Sequence, residues 1–208
     1  MRRLALILAG LLSLAPLAAQ AGAQKYEPLS ASVRAALSRT VADQAPPKSS
    51  FKSPLEAADW LTEMSQRLGK RLPNRDSRLE FLRAVHYEAT RAGLDPQLVL
   101  GLIQVESGFK KYAVSSAGAR GLMQVMPFWI KVIGRPDDNL FHLRTNLRYG
   151  CTILRHYLDI EQGDLFRALG RYNGSLGQPE YPNMVKGAWQ GNWLFVHQVA
   201  AANTPVRQ

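Results

Sequence analysis

The chain of 208 residues has one cysteine, Cys151, which excludes an intramolecular disulfide framework and any multi-cysteine zinc or iron–sulfur site. Its four histidines, His86, His142, His156 and His197, lie far apart, and no His-Glu-x-x-His pattern joins two of them, so neither a metal nor another cofactor is expected. No apolar run reaches the ~20 residues that span a bilayer as a helix. Acid is also scarce, with 16 Asp and Glu against 26 Lys and Arg, and from Ser107 through Pro136 there is no carboxylate side chain at all.

What is present begins with a targeting segment. Arg2 and Arg3 precede Leu4–Ala19, apolar but for Ser13 and Pro16, and small-x-small cleavage sites follow at Ala19-Gln20-Ala21 and Ala21-Gly22-Ala23. Residues 1–21 are therefore expected to be a signal peptide, and the chain to be exported, to the periplasm first and to the extracellular space as the alternative. No cysteine follows the apolar run, which speaks against a lipid anchor. Without Arg2 and Arg3, 24 of the 26 cations remain against 16 anions, a balance that favours a polyanionic partner. Outside the cytoplasm that partner is a wall polymer or membrane surface rather than nucleic acid.

Residues 22–53, rich in Ala, Ser, Gln and Pro, predict a flexible tether with one short helix over 30–42, offering reach toward other wall proteins. Ser53-Pro54-Leu55-Glu56 is a capping box with Pro at the first helical position. Leu55, Ala58, Leu61, Met64 and Leu68 then form one apolar stripe, a helix preceding the core within 54–75. Further helices are expected over about 76–92, from Asp95-Pro96 onward, and over 145–158, 165–172 and 186–198. The fold class is mainly α, with a catalytic domain over 76–198 and a tail over 199–208.

The chemistry concentrates between Gly101 and Pro127. Glu106 shares a helix face with Val99, Leu102 and Ile103, where an unpaired carboxylate costs several kcal/mol to bury. It also stands in the last helical turn before Ser107-Gly108. Desolvation and the negative end of the helix dipole both raise a carboxyl pKa there; a Glu fanning outward at a frayed helix end is the alternative. No second carboxylate presents itself as partner. Asp137-Asp138 reads as a solvated turn, and Glu80 and Glu88 each precede an Arg by three residues, the spacing of a surface pair. Glycosidases commonly pair two carboxylates; a one-acid mechanism takes its nucleophile from the substrate.

Glu106-Ser107-Gly108, Ser116-Ala117-Gly118-Ala119-Arg120 with Gly121-Leu122-Met123-Gln124-Val125-Met126-Pro127, Asn146-Leu147, and Tyr172-Asn173-Gly174 together resemble the soluble lytic transglycosylase family over about 76–194. The resemblance implies a lysozyme-like helical fold, related to goose-type lysozyme, with a groove for the glycan strands of peptidoglycan. It implies that Glu106 acts first as acid and then as base in non-hydrolytic cleavage between N-acetylmuramic acid and N-acetylglucosamine, closing a 1,6-anhydro sugar. Ser107, Met123, Gln124, Tyr172 and Asn173 carry over as substrate-binding residues: Ser107 to orient the acid or the acetamido group, Met123 and Gln124 to line the groove, Tyr172 to set its hydroxyl near the acid. Structural roles remain open for each of them, from helix termination and capping at Ser107 and Asn173 to core packing at Met123 and Tyr172. Arg171 and the continuation Ser175-Leu176-Gly177-Gln178-Pro179 depart from the family pattern. A hydrolytic muramidase on the same fold and a non-catalytic peptidoglycan-binding module are the alternatives.

Overall fold

The computed structural model describes residues 24–42 and 50–196, so the expected signal peptide and C-terminal tail lie outside the described residues. Helix α2 (Pro54–Leu68) starts on its capping box: the Ser53 hydroxyl accepts the Glu56 amide, while Glu56 accepts the Lys52 amide at 2.7 Å. Helices α3 (Arg75–Arg91) and α4 (Pro96–Ser107) follow. Asn74 caps α3 and Asp95 caps α4, each side chain accepting a first-turn amide that has no partner within the helix.

After a loop come α5 (Phe128–Ile133), α6 (Leu143–Ile160) and α7 (Leu165–Asn173). Helix α6 lies against α3 and α7 and buries Leu147, Tyr149, Ile153 and Leu154. Each such side chain contributes about 1.5–3 kcal/mol on burial. Cys151, on the same helix, is an unpaired buried thiol whose pKa burial pushes well up.

The last elements differ from the pattern of the sequence. In place of a helix over 186–198, α8 spans Glu180–Ala188 and a π-helical turn follows at Trp189–Trp193. Pro182 reads as a breaker, yet it sits in the first turn of α8, where an amide donor is not required. Tyr181, Val185 and Ala188 form the buried face. Trp193 is buried against Phe109, and the Trp193 and Trp189 indoles donate to Gln104 and Asp95, which makes both residues structural.

Helix α4 and the π-helical turn that continues α8 meet closely because residue 101 is glycine. A Cβ there would stand 2.8 Å from the Trp189 backbone nitrogen and 2.9 Å from its Cα. A mid-helix glycine costs about 1 kcal/mol relative to alanine, and here it buys the approach of the segment that carries Tyr181.

Two sequence expectations are corrected. The described part of the proposed tether packs on the body. Helix α1 (Ala31–Ala42) lies along α5 and α6, Arg91 donates to the Thr40 carbonyl, and Phe51 stacks on His86 with ring centroids 3.6 Å apart. Composition reported little to bury, but the few apolar and polar groups present find sites on the core. Likewise, Glu88 is not on the surface. Arg148 of α6 reaches its Oε1 at 2.9 Å and Arg91 its Oε2 at 3.3 Å, with the Glu88 side chain 1% exposed. The i,i+3 rule looks along one helix and misses α6 crossing over it.

Candidate active site

Helix α4 is apolar along most of its length, so its final turn carries Glu106 into the interior, where the residue is 5% exposed. Gly108 (φ 55°) and Phe109 (φ 69°) then turn the chain sharply. Phe109 is buried edge-on to Phe81 and Trp193, which fixes the turn immediately after the acid.

The acid has one side-chain partner. The Tyr181 hydroxyl donates to Glu106 Oε1 at 2.5 Å, whereas the buried Oε2 has no hydrogen-bond partner on the protein. Burial pushes the Glu106 carboxyl up from 4.5 to about 8, and the Tyr181 hydrogen bond opposes that rise. Near neutral pH the carboxyl is therefore largely protonated. Because Tyr181 already donates to Oε1, the proton belongs on Oε2. The result is a buried carboxylic acid with one oxygen held by Tyr181 and the other without a protein partner.

Other carboxylates are committed elsewhere. Glu88 is held by arginines, Asp95 accepts from the Gln97 amide and Trp189, and Glu161 binds Arg167 and Arg171. Asp138 is no solvated bystander as the turn composition predicts: it accepts from the Tyr149 hydroxyl at 2.5 Å and from the Arg135 amide at 3.0 Å. Among the described residues no group of three His, Cys, Asp or Glu could hold a metal ion.

The loop from Ala113 to Met126 lies against this helix end. Arg120 and Val125 exchange two backbone hydrogen bonds, and the Gly121 amide returns to Ala113. Gly121 is required by its φ of 77° and by crowding, since a Cβ would stand 2.4 Å from Asn146 Nδ2. Asn146 accepts the Met123 amide and donates to the Arg120 and Leu140 carbonyls, three bonds from one buried side chain. The resemblance marks Asn146 only as part of a helix; its work is to staple this loop.

The residues expected to bind substrate make the following contacts within the protein. The Ser107 hydroxyl donates to the Leu122 carbonyl at 2.7 Å and lies 3.2 Å from the Ile103 carbonyl, tying α4 to the loop; no hydrogen bond to the acid is found. Met123 is fully buried and belongs to the hydrophobic core. Gln124, 1% exposed and left-handed at φ 47°, spends its amide on the Ala113 and Gly121 carbonyls. Tyr172 is fully buried and donates to the Met123 carbonyl at 2.8 Å. Burial holds its hydroxyl well above the usual range and the Glu106 charge adds to that, so it feels the acid without bonding to it. Asn173 is buried at the end of α7, where Gly174 (φ 81°) supplies the turn. For Ser107, Gln124 and Tyr172, backbone carbonyls accept the side-chain donors.

The tyrosine on the acid is Tyr181, 75 positions downstream, which sequence reasoning missed. Its available signal was a Tyr-x-x-x-Val-x-x-Ala face running through a Pro-bracketed segment. Arg171, the departure beside Tyr172, turns away to pair with Glu161 and Glu27.

Residues 83–184 match the family model described as the transglycosylase SLT domain. A transglycosylase of Enterobacteria phage PRD1 is 34% identical over 108 residues, covering 52% of this chain and 40% of the phage protein. Membrane-bound lytic murein transglycosylase C of Histophilus somni is 36% identical over 113 residues, covering 47% of this chain and 31% of its own. Among solved structures, an inactive mutant of the lytic transglycosylase Slt from Pseudomonas aeruginosa aligns with a TM-score of 0.42 at 23% identity, over 51% of this chain and 20% of that one. The chain thus spans less than half the length of each of these relatives.

Proposed function

Residues 83–184 belong to the transglycosylase SLT domain family, and from that membership and the geometry at Glu106 we propose that the chain is a peptidoglycan lytic transglycosylase. The observation that carries the reading is the state of one side chain: a buried carboxylic acid with its pKa near 8, one oxygen held by Tyr181 and the other unclaimed.

In this reading Glu106 Oε2 gives its proton to the glycosidic oxygen between N-acetylmuramic acid and N-acetylglucosamine, and the bond to the anomeric carbon breaks. The 2-acetamido group of the muramic acid assists at that carbon. The Glu106 carboxylate, stabilised by the Tyr181 hydroxyl, then takes the proton of the sugar's own 6-hydroxyl as its oxygen closes onto the anomeric carbon. One proton leaves and one returns, and no water is consumed. Acid and base work by one group is most effective when its pKa lies near the working pH, and such transfer contributes about 10²–10⁴-fold. The commitment of Glu88, Asp95, Asp138 and Glu161 to other partners supports a mechanism with one carboxyl group.

The expected signal peptide and a relative whose name places it at the membrane and on murein support action at the cell wall, outside the cytoplasm. Among the described residues no helix is long and apolar enough to cross a membrane.

Digestion of purified sacculi, read by mass spectrometry of the released fragments, tests the reading. The chain is expected to release 1,6-anhydro products lighter by one water than those of a lysozyme, and Glu106→Gln to release none. Products of ordinary mass would establish a hydrolytic muramidase instead, and binding without any release a wall-binding module.

A further inference from the structure

Gln24 belongs to the segment whose composition predicts a tether, yet its side chain is buried and 4% exposed. Its Oε1 accepts the Trp129 indole N–H at 3.0 Å and the Met126 amide at 3.3 Å, and its Nε2 donates to the Gln124 carbonyl at 3.5 Å. A side-chain amide buried with its oxygen accepting twice and its nitrogen donating is a specific fit, because burial without partners would strip its hydration and replace it with nothing.

The groups it reaches complete a sequence of anchors along one loop. The Leu122 carbonyl is held by Ser107, the Met123 amide by Asn146 and the Met123 carbonyl by Tyr172. The Gln124 carbonyl and the Met126 amide are held by Gln24. Between them Gln124 sits at φ 47°, a conformation that a residue with a side chain keeps only when its surroundings over-determine it. Ser107, the anchor of the Leu122 carbonyl, is the residue immediately after the acid. The Tyr172 hydroxyl that supports the loop is pushed up by burial and by Glu106, while Gln24 draws it down.

We propose that Gln24 is a positioning residue for the reaction: the N-terminal segment reaches back across 100 positions and locks the loop 122–126 beside Glu106. The Glu27–Arg171 ion pair holds that segment in place. What composition presents as reach is, at this residue, a fixed strap on the site.

The inference rests on the activity proposed above, so its test has one readout within that activity and one outside it. The purified exported chain is compared with Gln24→Met, which keeps the volume but not the hydrogen bonds, and with Gln24→Glu, which keeps the acceptor oxygen for Trp129. Val41→Ala, which trims a buried side chain at the end of α1 remote in sequence from Gln24, is the structural control. On glycan strands, Gln24→Met is expected to lower kcat about tenfold with KM changed by less than about twofold, as for a misplaced catalytic frame. Gln24→Glu is expected to fall between it and the parent, and Val41→Ala to keep the parental kcat. By hydrogen exchange, the amides of 122–126 are expected to exchange about tenfold faster in Gln24→Met and at parental rates in Val41→Ala. Parental kcat and exchange in Gln24→Met would overturn the proposal, as would an equal loss in Val41→Ala. Should the Met variant not fold, the same two readouts on Gln24→Glu decide it. An inactive parent would remove the activity reading alone, because the exchange measurement still decides whether Gln24 holds the loop.

Discussion

Tyr181 donates its hydroxyl to Oε1 of Glu106 at 2.5 Å, across 75 positions of sequence, and so decides which oxygen of the acid carries the proton. That bond lowers the Glu106 pKa against the larger upward push of burial. Tyr181→Phe is therefore expected to raise the pKa further and to move the alkaline limb of the pH–rate profile to higher pH. The carboxylate formed after proton donation also loses its stabilising donor, so kcat at neutral pH is expected to fall about 10- to 100-fold. Steady-state rates on glycan strands across pH 5–10 check both effects.

Glu106 burdens the fold it serves. Its folded pKa of about 8 lies above the unfolded value of 4.5, so its contribution is fully retained below pH 4.5 and is lost as pH rises toward 8. Glu106→Gln, a neutral shape mimic, is expected to be inactive yet more stable than the parent by about 1–3 kcal/mol at pH 8, with the difference vanishing near pH 4. Urea titrations at the two pH values measure this.

Gly101→Ala exchanges a poor helix former for the best one, a change worth about 1 kcal/mol in favour of the helix. The added methyl meets the Trp189 backbone at 2.8 Å, and backbone cannot swing aside as a side chain can. The net result is expected to be a loss of about 1–3 kcal/mol. Displacement of α8 carries Tyr181 from the acid, so the pH profile is expected to shift as in Tyr181→Phe. Thermal melts and the same rate measurements test the pair of effects.

Arg148→Met leaves the buried Glu88 carboxylate with Arg91 as its remaining cation. A loss of about 2–4 kcal/mol is expected, with substantial recovery in the Glu88→Gln, Arg148→Met double variant. The four-member double-mutant cycle in urea gives the coupling directly.

Helices α2, α3, α4, α6 and α7 are visible in the sequence within about two residues, because apolar periodicity and caps are local signals. The burial of Glu106 is legible for the same reason, since a helical face is a local property. What escapes is what depends on distant chain. Tyr181 hides between two prolines that suggest a loop, and its partner is on another helix. Gln24 looks like one more polar residue in a low-complexity stretch. For Ser107, Gln124 and Tyr172 a shared motif tells which residue types recur, whereas the loop's own carbonyls determine where their donors go. The Glu88–Arg91 spacing fails because a helix-local rule has no knowledge of Arg148.

Cys151 lies on α6 as the chain's sole thiol, and burial raises its pKa well above that of a free cysteine. Maleimides and spin-label reagents, which attack exposed thiolate, have nothing to react with there. A single cysteine introduced at the exposed Tyr112, beside the loop, would therefore carry a fluorophore at one defined address in the otherwise native chain. Motion of that rim during turnover then becomes observable without first stripping the protein of its natural sulfhydryl.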